Sequence, residues 1–287
     1  MATARQDAAL KSACCTTWTN PVARLLLGER LHPGGERTTA LTVDSLGLER
    51  GARVLDLGCG YGSTLGMLAG QGYTAIGLDL AYGAASAAST FGGVVVADAE
   101  RPPVRAGSLD GIVMECVLSL LPDKEGGTSR AHRALKRGGR IAISDVTIEE
   151  PLPLPLEEAA AWSTCVAGAL STAGYLSLLQ ESGFGEAQSI CLDDALVALI
   201  DQIRRRLALI EVALTARGVE LAPLGVDRDR LEGLRGLAVA ALDVVRNGGA
   251  GYRAISRHEA VIPAYFRRST SIRPPDPNVY PGIPSPS

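Results

Sequence analysis

Six cysteines, at positions 14, 15, 59, 116, 165 and 191 of the 287 residues, are the side chains with the widest chemical reach in this sequence. A thiolate is both a nucleophile and a ligand for soft centres. Six are too few for a disulfide framework in a chain of this length. Met1 to Asp7 has no apolar core of the kind a secretory leader needs, and no window holds roughly 18 uninterrupted apolar residues. A reducing, cytoplasmic setting with free thiols and no membrane is therefore the expectation.

The second chemical feature is VLDLGCGYGST, residues 54–64. An apolar run ends in Gly58, Gly60 and Gly62, with Cys59 between the first two. Glycines there let the backbone turn tightly and meet a ligand closely. Asp56 lies inside the motif, Asp79 follows about 20 residues on with Leu80 beside it, and Asp98 lies in the run ADAE. Carboxylates at such positions accept hydrogen bonds from hydroxyls and amines. Glu115, beside Cys116, is a further acid for the same cleft. His32, His132 and His258 show no ligand spacing and read as surface or structural, and HPGG at 32–35 as a turn.

The elements that must position these groups alternate. Apolar runs at Arg53–Leu57, Tyr73–Leu78, Val94–Ala97, Leu109–Cys116 and Arg140–Val146 read as strands. Ser63–Ala69, Ala84–Thr90 and Thr128–Lys136 read as the helices between them, with Gly138 and Gly139 turning the chain into the fifth strand. Such alternation predicts right-handed crossovers and a parallel, doubly wound α/β sheet. Prolines 151, 153 and 155 predict an extended crossing, followed by helices over Leu156–Ala169 and Gly174–Ser182 and a sixth strand over Glu186–Leu192. Leu196, Leu199, Ile203, Leu207, Ile210 and Leu214 form one helical stripe, and Leu231, Leu234, Ala238, Ala241 and Val245 a second, joined by the linker Gly218–Asp227. Arg204–Arg206 reads as a solvated helix face, Tyr252–His258 as a last strand, and Pro274–Ser287 as an extended or disordered tail. A composition of 46% hydrophobic and 21% charged residues excludes global disorder, and a net charge of −3 argues against a dedicated nucleic-acid binder.

The G-x-G-x-G loop with acids at 56, 79 and 98 resembles the class I S-adenosylmethionine-dependent methyltransferases. That resemblance implies a seven-stranded, Rossmann-like sheet with S-adenosylmethionine as cofactor. Gly58–Gly62 would lie under the methionine moiety, Asp79 would hold the ribose hydroxyls, and Asp98 with the Ala99 amide would meet the adenine. Asp56 would organise the loop and reach the methionine amine through water. The helical pair 194–247 then stands as an insertion between strands 6 and 7, as a homodimer surface, part of a lid, or a satellite on the core. The implied layout is an N-terminal helical cap over the cleft at 1–50, a core at 51–193, the final strand at 248–262 and the proline-rich tail at 263–287.

Three further blocks, LKSACCT at 10–16, MECVLSLLPDKE at 114–125 with RALKRGGRIAISDV at 133–146, and CVAGAL at 165–170 before YLSLLQESGF, resemble the arsenite methyltransferases. In that family cysteine thiolates hold trivalent arsenic. Carried over, Cys165 and Cys14 or Cys15 are the metalloid-binding and catalytic positions, with glutathione or thioredoxin as the thiol reductant. Three sulfurs leave arsenic a lone pair that attacks the methyl group in line, with no general base. Cys59, Cys116 and Cys191 then read as packing residues. Beyond 165 the only cysteine is Cys191, and the C-terminal third departs from the family's pattern. A small organic acceptor with structural cysteines is the alternative, and a non-catalytic metalloid binder the second.

Overall fold

The computed structural model describes residues 10–12, 15, 16, 19, 20, 25–28, 31–160, 165–217 and 228–257. Helix α1 (Gly35–Asp44) precedes the alternating units β1 (Arg53–Leu57), α2 (Ser63–Gly70), β2 (Thr74–Asp79), α3 (Tyr82–Ala88) and β3 (Gly93–Val96). Then come β4 (Leu109–Glu115), α4 (Lys124–Ala134), β5 (Leu135–Ile148), α5 (Leu154–Ala160), α6 (Thr172–Glu181) and β6 (Gln188–Cys191). Two long helices, α7 (Asp193–Arg217) and α8 (Arg228–Arg246), separate β6 from β7 (Ala250–Ser256).

The seven strands form one sheet in the order β3-β2-β1-β4-β5-β7-β6. The first five run parallel, and β7 runs antiparallel to both β5 and β6. Successive residues on the central strands face opposite sides, so both faces need cover. Leu55, Ile112 and Ile141 join a core with Tyr175, Leu179 and Phe184, while their neighbours Val54, Val113 and Ala142 join Val43, Leu46 and Leu68 on the other face. Each buried Leu, Ile, Val or Phe among these contributes roughly 1.5–3 kcal/mol. A further core of Leu192, Leu196, Ile200, Ala238, Leu242 and Val245 seats the inserted helices beside Tyr252 and Ala254 of β7.

Four elements differ from expectation. Pro155 lies in the first turn of α5 rather than in an extended crossing, because the first turn requires no amide donor. The helix expected over Leu156–Ala169 is described over Leu154–Ala160, and residues 165–168 form a turn. The fifth strand begins at Leu135: Leu109 pairs with Leu135 and Gly111 with Arg140, so Gly138 and Gly139 belong to an irregularity within the strand rather than to a turn before it. The last strand starts two residues earlier than the tyrosine expected to open it. The Gly218–Asp227 linker, His258 and the Pro274–Ser287 tail lie outside the described residues. No helix among the described residues is long and apolar enough to cross a membrane.

Candidate functional site

The carboxyl ends of β1, β2 and β4 open onto a cavity of about 200 Å³. Asp56, Gly58, Cys59, Gly60, Asp79, Leu80, Asp98, Ala99 and Glu115 all line it. Gly62 is not on the wall. It opens α2 with φ +89°, and a Cβ there would lie 2.9 Å from the Ala88 Cα, so it lets α2 and α3 approach.

The loop is held from β2. Leu78 O accepts from the amides of Gly58 (2.7 Å) and Cys59 (2.9 Å). Asp79 Oδ2 accepts from Gly60 N at 2.8 Å and Oδ1 from Ala81 N at 2.8 Å. Burial raises the Asp79 carboxyl above its ordinary range, against these amide donors. Asp56 is buried, and its Oδ2 has no hydrogen-bond partner among the described residues. Burial, then the neighbouring Glu115 and Asp79, pushes its carboxyl well up. Glu115 accepts from Thr64 Oγ1 at 2.5 Å and from Ser144 Oγ at 3.2 Å. Three carboxylates around one cavity create a negative field that a cationic ligand relieves.

Lys11, Cys15 and Thr19 line this cavity from outside the sheet. Lys11 Nζ pairs with Asp98 Oδ2 at 2.7 Å and Glu100 Oε2 at 2.5 Å. Burial raises the Asp98 carboxyl, but the Lys11 ammonium and the Glu100 amide outweigh it, and the net shift is downward. Gln202 and Arg206 of α7 donate to the carbonyls of Leu27, Leu25 and Leu26. Arg206 is therefore a tether for the N-terminal segment, which corrects the reading of the whole Arg204–Arg206 run as solvated.

The cysteines divide in a way their spacing did not announce. Cys165, 8% exposed, opens the 165–168 turn. It belongs to the same packed cluster as Cys116, which lines the cavity just after β4. Cys116 has φ +53°, the one positive φ among described non-glycine residues. Strain of this kind concentrates at functional sites. The Cys165 thiol and burial together push the Cys116 thiol well up. Cys15 lines the cavity, and Cys14 lies outside the described residues. Cys59 packs on Gly77. Cys191 is exposed, sits near Asp193 (3.2 Å), and is not on the cavity wall. Among the described residues no three His, Cys, Asp or Glu side chains are arranged to hold a metal ion.

His32 was missed at the sequence level. It lines the cavity, its Nε2 lying 3.3 Å from Thr39 Oγ1 and 3.9 Å from Glu115 Oε2. HPGG signals only a turn; the carboxylate that meets the ring comes from a distant strand. His132 is structural, edge-on to Phe184 at 4.9 Å.

Comparison with known proteins agrees with this geometry. Residues 55–143 match the family described as a methyltransferase domain. An arsenite methyltransferase of Aquipseudomonas alcaligenes is 28% identical over 214 residues, covering 65% of this chain and 61% of the relative. That of Halobacterium salinarum is 33% identical over 158 residues, covering 50% and 40%. The chain thus spans less than two thirds of the length of these curated relatives. A cyclopropane synthase from Mycobacterium tuberculosis superposes with a TM-score of 0.67 at 17% identity, covering 86% of this chain and 97% of that one.

The chain has the class I methyltransferase fold and resembles the arsenite methyltransferases.

The cofactor of this methyltransferase fold, S-adenosylmethionine, carries a cationic sulfonium and an ammonium group and no phosphate. The unpartnered buried oxygen of Asp56 and the carboxyl group of Glu115 fit those charges. Open space beside Gly60 leaves the backbone accessible to the ligand.

One buried acid of the methyltransferase core lies beside the cysteine pair. Asp145, 0% exposed, accepts from Ser119 N (3.0 Å), Ser119 Oγ (2.7 Å) and Val146 N (2.9 Å). Burial raises its carboxyl to about 6 despite those donors. The folded chain therefore binds this proton more tightly than the unfolded one, whose Asp titrates near 3.9. The contribution is fully present below about pH 4 and is lost as pH rises to about 6, up to roughly 3 kcal/mol. Asp145→Asn should flatten the slope of stability against pH in that window, read by urea denaturation at pH 4 to 7. An unchanged slope would assign the effect to other groups.

Proposed function

We propose that this chain transfers the methyl group of S-adenosylmethionine to arsenic(III) held by cysteine thiolates. The observation that carries this reading is the Cys116–Cys165 pair, two free cysteines in one packed cluster, with Cys116 on the wall of the cofactor cavity. Soft thiolates select a soft, thiophilic centre. Cys116 replaces its assignment as a packing residue, and Cys15 on the same wall, its neighbour Cys14 or an external thiol such as glutathione supplies the third sulfur.

When bound, the cofactor supplies an electrophilic methyl group. Asp79 holds the loop from Gly58 to Gly62 and presents its carboxylate to the ribose hydroxyls. Asp56 and Glu115 balance the positive charge, and Asp98 with Ala99 faces the adenine. Cys116 and Cys165 hold arsenic by two sulfurs and leave its lone pair free, so no general base is required. Lys11, anchored on Asp98 and Glu100, draws the N-terminal segment over the cavity and limits water.

The test is incubation with labelled cofactor, glutathione and arsenite, followed by arsenic speciation. Wild-type protein should yield methylated arsenic, and Cys165→Ser and Cys116→Ser should each lose at least roughly 10²-fold in rate, as expected when a reactant is no longer positioned. Absence of product from wild type would overturn the substrate. The second reading, a small organic acceptor, draws on His32 beside Glu115, an acid–base pair that arsenic does not need. On that reading both cysteine variants stay active toward the organic acceptor and His32→Ala does not.

A further inference from the structure

We propose that Tyr252 and Ser144 form a hydrogen-bonded relay that carries the Cys116 thiol proton to the Glu115 carboxylate when the sulfur takes up a thiophilic substrate. The inference rests on the reading of Cys116 as a substrate-holding thiol.

The chain of contacts is continuous, and each thiol or hydroxyl on it can donate to the next group. Cys116 Sγ donates to Tyr252 Oη at 3.7 Å. Tyr252 Oη donates to Ser144 Oγ at 3.0 Å. Ser144 Oγ donates to Glu115 Oε1 at 3.2 Å. The last acceptor lines the cavity, whereas Ser144 and Tyr252 are both 0% exposed. Two hydroxyls shut away from water thus connect the sulfur to a carboxylate on the cavity wall. Three neighbouring strands build the path: Cys116 follows β4, Ser144 lies on β5 opposite Glu115, and Tyr252 lies on β7 opposite Val146. A phenol whose only task was packing would be matched by phenylalanine.

The step balances. The S–H bond of Cys116 breaks and its proton moves to Tyr252 Oη, which passes its own to Ser144 Oγ, which passes its own to Glu115. Glu115 becomes a neutral carboxylic acid. The sulfur electron pair forms the bond to arsenic as an arsenic–oxygen bond breaks, and the departing hydroxide takes a proton from solvent to leave as water. Glu115 then returns its proton to solvent through the cavity. Nothing is oxidised or reduced. Tyr252 and Ser144 are positioning residues here, acting on substrate only through Cys116.

The probe is phenylarsine oxide, a trivalent arsenical. Its uptake by the full chain is quenched in time and followed by intact mass spectrometry in H2O and D2O. Tyr252→Phe should slow uptake roughly 10²-fold, as loss of positioned proton transfer does, with unchanged final stoichiometry. The solvent isotope effect of the wild type should change in the variant, which a packing role would not produce. Ser144→Ala interrupts the same path one step on and covers the case in which Tyr252→Phe lowers stability. If either variant folds and matches the wild-type rate and isotope effect, the relay is wrong. If Cys116→Ser itself takes up the probe as wild type does, the thiol reading fails instead, so the two failures are distinguishable.

Discussion

Asp79→Ala is expected to raise the dissociation constant for S-adenosylhomocysteine roughly 10- to 100-fold, the equivalent of about 1.5–3 kcal/mol for a charged hydrogen-bond partner. The carboxylate does two things at once. Its oxygens accept from Gly60 N and Ala81 N, both at 2.8 Å, so it fixes the glycine loop to the end of β2. It also lines the cavity, where the ribose hydroxyls need acceptors. Asp79→Asn separates the roles. It keeps one acceptor for the loop but brings in an amide donor and removes the charge. Titration calorimetry should therefore rank wild type, Asn and Ala in order of falling affinity. An unchanged constant in Asp79→Ala would refute the assignment of this loop to the cofactor.

Gly58→Ala is expected to be far more damaging than the same change at Gly60. Gly58 has φ +80°, and an added Cβ would sit 2.4 Å from Val117 Cγ2 and 3.0 Å from its Cγ1. Val117 is 7% exposed and β-branched, so few rotamers are open to it. Overpacking of this kind costs about 1–3 kcal/mol. The left-handed backbone adds about 1–2 kcal/mol for any residue with a Cβ. Urea denaturation should register the sum, and cofactor affinity should fall with it because Gly58 and Cys59 lose their register on Leu78 O. Gly60→Ala is the control, since nothing lies within 4 Å of its Cβ position and only the backbone strain applies. Equal stability losses in the two variants would show that Val117 yields.

Most of the sheet is legible from local pattern, because its signals are local. RVLDL followed by glycines, and the alternation of apolar runs with helical stretches, need no distant information. The errors fall where a local rule meets its exception. Pro155 suggests extended chain until one sees that it occupies a helix's first turn. Gly138 and Gly139 suggest a turn until β4 draws Leu135 into the ladder. The cofactor side of the site is legible for the same reason, since its residues follow the ends of consecutive strands. The substrate side is not. Cys116 and Cys165 are 49 positions apart and are brought together by the turn at 165–168; the hydroxyl that Cys116 meets, on Tyr252, lies 136 positions away. His32 and Arg206 are missed likewise, because each meets a partner that only the folded chain supplies.

The strand order has a consequence for how this protein is made. Among the described residues β6 pairs only with β7, and β7 also covers the edge of β5. Residues 192–249 separate β6 from β7 in the chain. As synthesis runs from the N-terminus, the loop, its acids and both central cysteines are in hand while β5 still ends the sheet with an open edge. Sealing that edge requires a long closure through two helices, a slow class of event in folding. Until β7 is made, that edge is able to pair with another chain. A chain that stops short of residue 250 would lack the strand that joins β5 to β6.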